Sequence, residues 1–180
     1  MRFDELGLSA PVLQAVQESG YEKPTPIQAQ AIPQILDSKD LVGASQTGTG
    51  KTAAFALPSL CNIEANGKTQ ILVLEPTREL AHQVAEQFEH YGKHTGCTVA
   101  LLFGGVGYGA QDESLKKGAE IIVATPGRLI DHFYRATARF GNIKVLILDE
   151  VDRMLDMGFL PQVRKIINVC PWNNEEQSRQ

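Results

Sequence analysis

The chain has 180 residues, 43% of them hydrophobic and 7% aromatic, which is enough for one domain with a true core. No apolar run reaches the roughly 18 residues of a membrane span, and the start, Met1-Arg2-Phe3-Asp4-Glu5, lacks the apolar core of a signal peptide, so a cytoplasmic protein is expected. The net charge of -4 does not announce a nucleic-acid partner, and the scattered Cys61, Cys97 and Cys170 fit neither a disulfide framework nor a zinc site.

Taken in chain order, Ser9 caps a first helix with Pro11 in its opening turn and Gly20 as its stop. A second helix starts near Pro26, and Pro33 is expected to interrupt it. Asp40 to Ala44 reads as a short strand running into a glycine loop. Thr52 to Ile63 reads as a helix kinked at Pro58. Gln70 to Leu74 is a continuous apolar run, hence a strand buried on both faces. Arg78 to Tyr91 places Leu80, Val84, Phe88 and Tyr91 on one helical face. Thr98 to Phe103 is a strand, and a helix follows Gly109. Glu120 to Ala124 is a strand, and a helix follows from Pro126. Lys144 to Leu148 is another buried strand, and a helix runs from Pro161 to about Val169. This alternation predicts an α/β domain with a parallel sheet sandwiched by helices. Ligands of such sheets sit beyond the carboxyl ends of the strands, where the motifs below fall.

Ser45-Gln46-Thr47-Gly48-Thr49-Gly50-Lys51-Thr52 follows the first expected strand and opens a helix, the context of a phosphate-binding P-loop. The glycines let backbone N–H groups turn toward phosphate oxygens, and the helix N-terminus adds partial positive charge. Lys51 can reach the β- and γ-phosphates, and the Thr52 hydroxyl can ligate Mg²⁺. Ser45 stands where the strict pattern has glycine, so a plain glycine-rich turn is the alternative for this motif alone. Leu146-Ile147-Leu148-Asp149-Glu150 is an apolar strand ending in two acids. Buried carboxylates are costly without a partner, and a nucleotide-bound Mg²⁺ would supply one. Asp149 is placed to hold the metal and Glu150 to deprotonate the attacking water. With a P-loop about one hundred residues upstream, the pair points to an NTPase.

Other residues go beyond a generic NTPase. Gly20-Tyr21-Glu22-Lys23-Pro24-Thr25-Pro26-Ile27-Gln28 resembles the Q motif of DEAD-box RNA helicases, and Phe3, seventeen residues before Gly20, matches that motif's isolated aromatic. Pro76-Thr77-Arg78-Glu79-Leu80 resembles motif Ia, Gly104-Gly105 the double glycine, and Thr125-Pro126-Gly127-Arg128 motif Ib. Asp149-Glu150-Val151-Asp152 resembles motif II, with Val151 in place of the usual alanine. The match covers essentially the whole chain. It implies the first RecA-like domain of the family, with a Q-motif lead-in over 1–38, the ATP-binding domain over 39–170 and a polar tail over 171–180.

The resemblance implies that Gln28 reads the adenine edge, that Tyr21 stacks on the ring and that Phe3 buttresses this loop. A carboxamide offers a donor and an acceptor at once, which matches adenine and rejects guanine. A core aromatic is the alternative for Tyr21. By the same resemblance, Pro76, Thr77, Arg78, Glu79, Gly105, Thr125, Pro126, Gly127 and Arg128 line a path for the RNA backbone. Helix N-termini there can grip phosphates, and contacts to phosphate and 2′-hydroxyl do not read sequence. An internal salt bridge is the alternative for each arginine. His90 and His94 lie four apart without a third ligand and read as a solvated pair.

The expected activity is ATP- and Mg²⁺-dependent RNA unwinding by a monomer, with ATP and RNA closing this domain on a second RecA-like domain. A weak ATP-binding module and a DNA-directed motor are the rivals. The chain stops before motif III, whose strand in this family lies between the phosphate-loop strand and the Asp149 strand. The expectation is therefore a part of a longer protein, a gap in the sheet, and no unwinding by these residues alone.

Overall fold

The computed structural model describes residues 1–171. A short 3-10 turn over Phe3–Glu5 precedes α1 (Ala10–Glu18), α2 (Pro26–Leu36) and α3 (Lys51–Cys61). Strands and helices then alternate: β1 (Ile71–Leu74), α4 (Arg78–Tyr91), β2 (Val99–Leu102), α5 (Gly109–Lys116), β3 (Ile121–Ala124), α6 (Pro126–Tyr134) and β4 (Val145–Leu148). Two helices follow β4, α7 (Val151–Asp156) and α8 (Leu160–Val169). The strands form one parallel sheet in the order β2-β3-β1-β4. No helix among the described residues is long and apolar enough to cross a membrane.

Side chains alternate across a strand, so a strand covered on both faces must be apolar throughout. Ile71 and Val73 of β1, with Ile121, Val123 and Val145, face one core with Val12 and Val16 of α1, Leu57 and Leu60 of α3, and Val84 and Phe88 of α4. Leu72 and Leu74, with Ile122, Ala124 and Leu102, face a second core with Leu129 of α6, Met154 of α7, and Val163 and Ile166 of α8. The predicted three-layer α/β arrangement is thus the observed one.

Four local expectations differ from the structure. First, α2 runs unbroken through Pro33, where an interruption was expected, while α3 includes Pro58 as the expected helix does. A proline inside a helix costs about 3 kcal/mol. Here Ile32 and Ile35 of α2 and Ala56, Leu57 and Leu60 of α3 are buried, and that burial outweighs the lost hydrogen bond. Second, Asp40 to Ala44 is not a strand, and Leu41 and Val42 are 46% and 102% exposed. Third, β4 is an edge strand, so only Val145 is fully buried and Leu146 to Leu148 are half-buried. A cavity of about 170 Å³ separates β4 from Leu41, Gly43 and Ser45, with Ala54 and Phe55 of α3 on its wall. The expected gap between two strands is thus not what forms: the four described strands make one continuous sheet that ends at β4, and 40–44 carries no strand on the far side of the cavity. Fourth, α7 starts directly after Glu150, where no helix was expected. The expected polar tail, apart from Pro171, lies outside the described residues.

Candidate nucleotide and nucleic-acid site

The expected phosphate loop turns through Gly48 and Gly50, at φ 82° and 81°, and the Thr49 hydroxyl donates to the Gln46 carbonyl at 2.7 Å. These left-handed positions favour glycine, and Gly50 is doubly constrained because a Cβ there would collide with the Gln28 carboxamide. Gln28 is buried at the start of α2. Its Oε1 accepts from the Thr25 N–H at 3.0 Å, and its Nε2 donates to the Gly50 carbonyl at 3.1 Å. One carboxamide therefore joins the Q-motif turn to the loop, a link the sequence did not reveal.

Lys51 extends from the first turn of α3 to both acids at the end of β4. Its Nζ lies 2.9 Å from Asp149 Oδ1 and 3.0 Å from Glu150 Oε1. Burial works against the lysine charge, but the two carboxylates outweigh it and hold its pKa above the usual lysine value. Asp149 is buried and also accepts from the Glu150 N–H at 3.1 Å. Glu150 has left-handed backbone, φ 53° and ψ 46°, which costs a non-glycine residue roughly 1–2 kcal/mol. That kink ends β4 and starts α7 within one residue, and it keeps the Glu150 side chain toward Lys51.

These groups line one cleft of about 440 Å³. Tyr21 forms part of its rim and is 53% exposed, whereas Phe3 is buried beneath and its N–H donates to the Glu22 carbonyl at 3.4 Å. Tyr91 of α4 lines the same cleft, and burial, then the neighbouring Tyr21, pushes its hydroxyl up to about 12. Thr52 lines the cleft beside Lys51. The fit to a divalent cation is good: a buried acid and a threonine hydroxyl lie beside a lysine, and a buried acid demands positive charge.

Glu75, which the sequence reading passed over, sits immediately after β1 and is fully buried. Neither of its carboxylate oxygens finds a donor among the described residues. Burial, then the neighbouring Asp149, pushes its carboxyl up to about 10. An acid between Leu74 and Pro76, at the mouth of an all-apolar strand, was the available signal.

The second group of predicted residues follows β1, β2 and β3, which are neighbours in the sheet, and so forms a single strip. Thr77 caps α4, its hydroxyl accepting from the Leu80 N–H at 3.3 Å. Pro76 is buried and Glu79 exposed, while the Arg78 guanidinium lies 4.6 Å from the Phe103 ring centroid. Gly105 has φ 81° and carries the exposed loop after β2. Thr125 precedes α6 and its N–H donates to the Leu102 carbonyl at 3.0 Å, while Pro126 and Gly127 make the first turn. Arg128 is buried. It donates to the Val106 carbonyl at 2.7 Å and to Gln111 Oε1 at 3.3 Å, and it stacks on Tyr108 at 4.3 Å. Arg128 thus braces the double-glycine loop, and its Nε also lies 4.0 Å from Asp131 Oδ2, the internal salt bridge left open as the alternative for it. Gln111 and the fully buried His132, 2.8 Å apart, complete this support and were not foreseen. His90 and His94 meet Ser19 and Glu18, and no metal-binding cluster occurs among the described residues.

The sequence profile of the DEAD/DEAH box helicase family matches residues 25–180. The chain belongs to the DEAD/DEAH box helicase family. It is 51% identical over 171 residues to the ATP-dependent RNA helicase DeaD of Klebsiella pneumoniae, covering 94% of this chain and 27% of that protein. It is 48% identical over 172 residues to the ATP-dependent RNA helicase CshA of Limosilactobacillus reuteri, covering 95% of this chain and 35% of that one. Among solved structures, a DEAD box protein from the hyperthermophile Methanococcus jannaschii superposes with a TM-score of 0.91 at 42% identity, over 99% of this chain and 48% of that chain. This DEAD/DEAH box chain therefore has the RecA-like fold and spans about a third or less of these two curated relatives.

Proposed function

We propose that the chain is the ATP-binding, RNA-gripping half of an ATP-dependent RNA helicase. The observation that carries this reading is the meeting of Lys51, Asp149 and Glu150 at one end of the cleft that Gln28 and Tyr21 border. Ser45 to Thr52 wrap the phosphates, and Lys51 leaves the two acids to pair with the β- and γ-phosphates. Thr52 and Asp149 hold Mg²⁺, which when bound neutralises charge building on the transferring phosphoryl group. Glu150, released from Lys51, takes a proton from the attacking water. Gln28 and Tyr21 receive adenine, and Phe3 supports them from below.

RNA lies along the strip formed by Pro76 to Glu79, Gly105 and Thr125 to Arg128. Arg78 offers charge to phosphate, and the α4 and α6 N-termini offer N–H groups. Contacts of this type grip the backbone without reading bases. A second RecA-like domain closes on this one to complete the site, in a monomeric, cytoplasmic protein. The 180-residue chain alone is expected to bind nucleotide weakly and not to unwind RNA.

Glu150→Gln in a chain carrying both domains tests the reading. ATP binding should persist while hydrolysis falls at least a hundredfold, about 2.7 kcal/mol of transition-state stabilisation. Hydrolysis near the parent rate would remove Glu150 as the base.

A further inference from the structure

We propose that His132 is a positioning residue for RNA binding, acting through Gln111 to hold the double-glycine loop in the shape that receives the RNA backbone. The inference rests on the reading that RNA lies along the strip carrying Gly105. The loop from Gly104 to Gly107 is exposed, and among the described residues no backbone–backbone hydrogen bond ties it down. Two side-chain donors hold its ends instead. Gln111 Nε2 donates to the Phe103 carbonyl at 2.9 Å, and Arg128 Nη2 donates to the Val106 carbonyl at 2.7 Å. Glycine backbone freed of such ties samples many states, so the direction of the loop's N–H groups depends on these two bonds. The Phe103 ring also carries the Arg78 guanidinium at 4.6 Å, so the same tie reaches the cation at the start of α4.

His132 sets how Gln111 stands. A carbonyl only accepts and a guanidinium only donates. The Phe103 carbonyl therefore faces the Gln111 amide nitrogen, and Arg128 Nη1, at 3.3 Å, faces the amide oxygen. His132 Nε2 lies 2.8 Å from that same oxygen, so it must carry a proton to bond it, whether the ring is neutral or charged. Nδ1 lies 2.8 Å from the Thr137 hydroxyl, which donates to the His132 carbonyl at 3.0 Å. The ring is fully buried with both nitrogens engaged, and it fixes the carboxamide that fixes the loop.

The test measures the affinity of the full-length protein for a fluorescein-labelled oligouridylate without nucleotide, and for fluorescent ADP without RNA. Gly104→Asp comes first. Gly104 lies outside the left-handed region with open space around it, so an acid there repels RNA without straining the fold. Unchanged RNA affinity in Gly104→Asp would overturn the reading of the strip and this proposal with it. If that affinity falls, His132→Gln and His132→Asn are compared. The glutamine carboxamide brings an N–H to the place of Nε2, whereas that of asparagine reaches only the place of Nδ1. His132→Asn should lose about threefold or more in RNA affinity and His132→Gln should stay within about twofold of the parent, with ADP affinity unchanged in both. Equal RNA affinities in the two variants, or an ADP loss in His132→Asn matching its RNA loss, would overturn the proposal. Should His132→Asn not fold, histidine ¹⁵N spectra of the parent decide, the resonance missing from His132→Gln being that of His132. Nε2 must bear a proton there, and a ring with Nε2 bare would refute the link to Gln111.

Discussion

Replacing Gln28 with alanine separates the loop-holding contacts that the structure shows from the adenine reading proposed for the same side chain. A carboxamide has two N–H donors and two acceptor lone pairs, and Gln28 uses one of each, on Gly50 and Thr25. One donor and one acceptor remain for adenine. Alanine leaves the Gly50 carbonyl and the Thr25 N–H without their partner, at roughly 1 kcal/mol each because neither is fully buried. At about 2–4 °C per kcal/mol for a chain of this size, the melting temperature should drop by about 4–8 °C. Loss of the two adenine contacts, at about 0.5–1.5 kcal/mol each, should weaken ADP by about 5- to 150-fold beyond any loss shared with GDP. Loosening of the phosphate loop weakens both nucleotides alike, so the ADP/GDP affinity ratio isolates base reading from loop support. Calorimetric titration of both nucleotides and a thermal melt read the two jobs separately. An unchanged ratio would exclude Gln28 from the adenine site, and an unchanged melting temperature would refute its role in holding the loop.

Glu75 predicts a pH dependence of defined sign in metal-free buffer. Its carboxyl is held at about 10 against an ordinary 4.5, so as pH rises the unfolded chain gives up this proton first. The stability it contributes is complete below the ordinary value and drains as pH climbs toward the raised one. Glu75→Gln cannot ionise and should gain on the parent in melting temperature from about pH 5 to about pH 9, whereas a constant gap would mean that Glu75 ionises normally. Arg78 and Arg128 should separate cleanly. Arg78→Ala should weaken RNA and flatten the salt dependence without shifting the melt, and Arg128→Ala should lower the melting temperature by removing the brace under Val106 and Gln111. Equal melts for the two variants would contradict the assigned contacts. A polypeptide continuing beyond Gln180 as the longer relatives do should melt higher than residues 1–180 and protect the amides of 41–45 from exchange, and no change in either would argue against a strand in the cavity beside β4.

What the sequence disclosed, and what it concealed, follows from how far each feature depends on neighbours. The β1, β3 and β4 runs were legible because burial on both faces forces a continuous apolar string, and α4 was legible because Val84, Phe88 and Tyr91 keep one face. That the glycine loop and the two acids would meet in one cleft was legible because the chemistry proposed for them needs particular residues at contiguous positions. Asp40 to Ala44 carries the local pattern of a strand, yet a strand is a pairing, and no described strand lies next to it. Pro33 and Pro58 speak against a helix locally, and the packing of α2 on α3 overrules them. Arg128 could be written as a nucleic-acid contact or as an internal tie, and its contacts with the Val106 carbonyl, Gln111, Tyr108 and Asp131 favour the tie. Glu75 was invisible for the same reason as the Gln28–Gly50 link. Its meaning lies in the strand beside it, and the register that brings Asp149 next to it is a property of the sheet. The chemistry-bearing residues are thus written in short motifs, while the residues that hold them in place are written in the fold. Searching for such supports means following each site residue across the contact that holds it, which here leads from Phe103 to Gln111 and His132 and from Gly50 to Gln28.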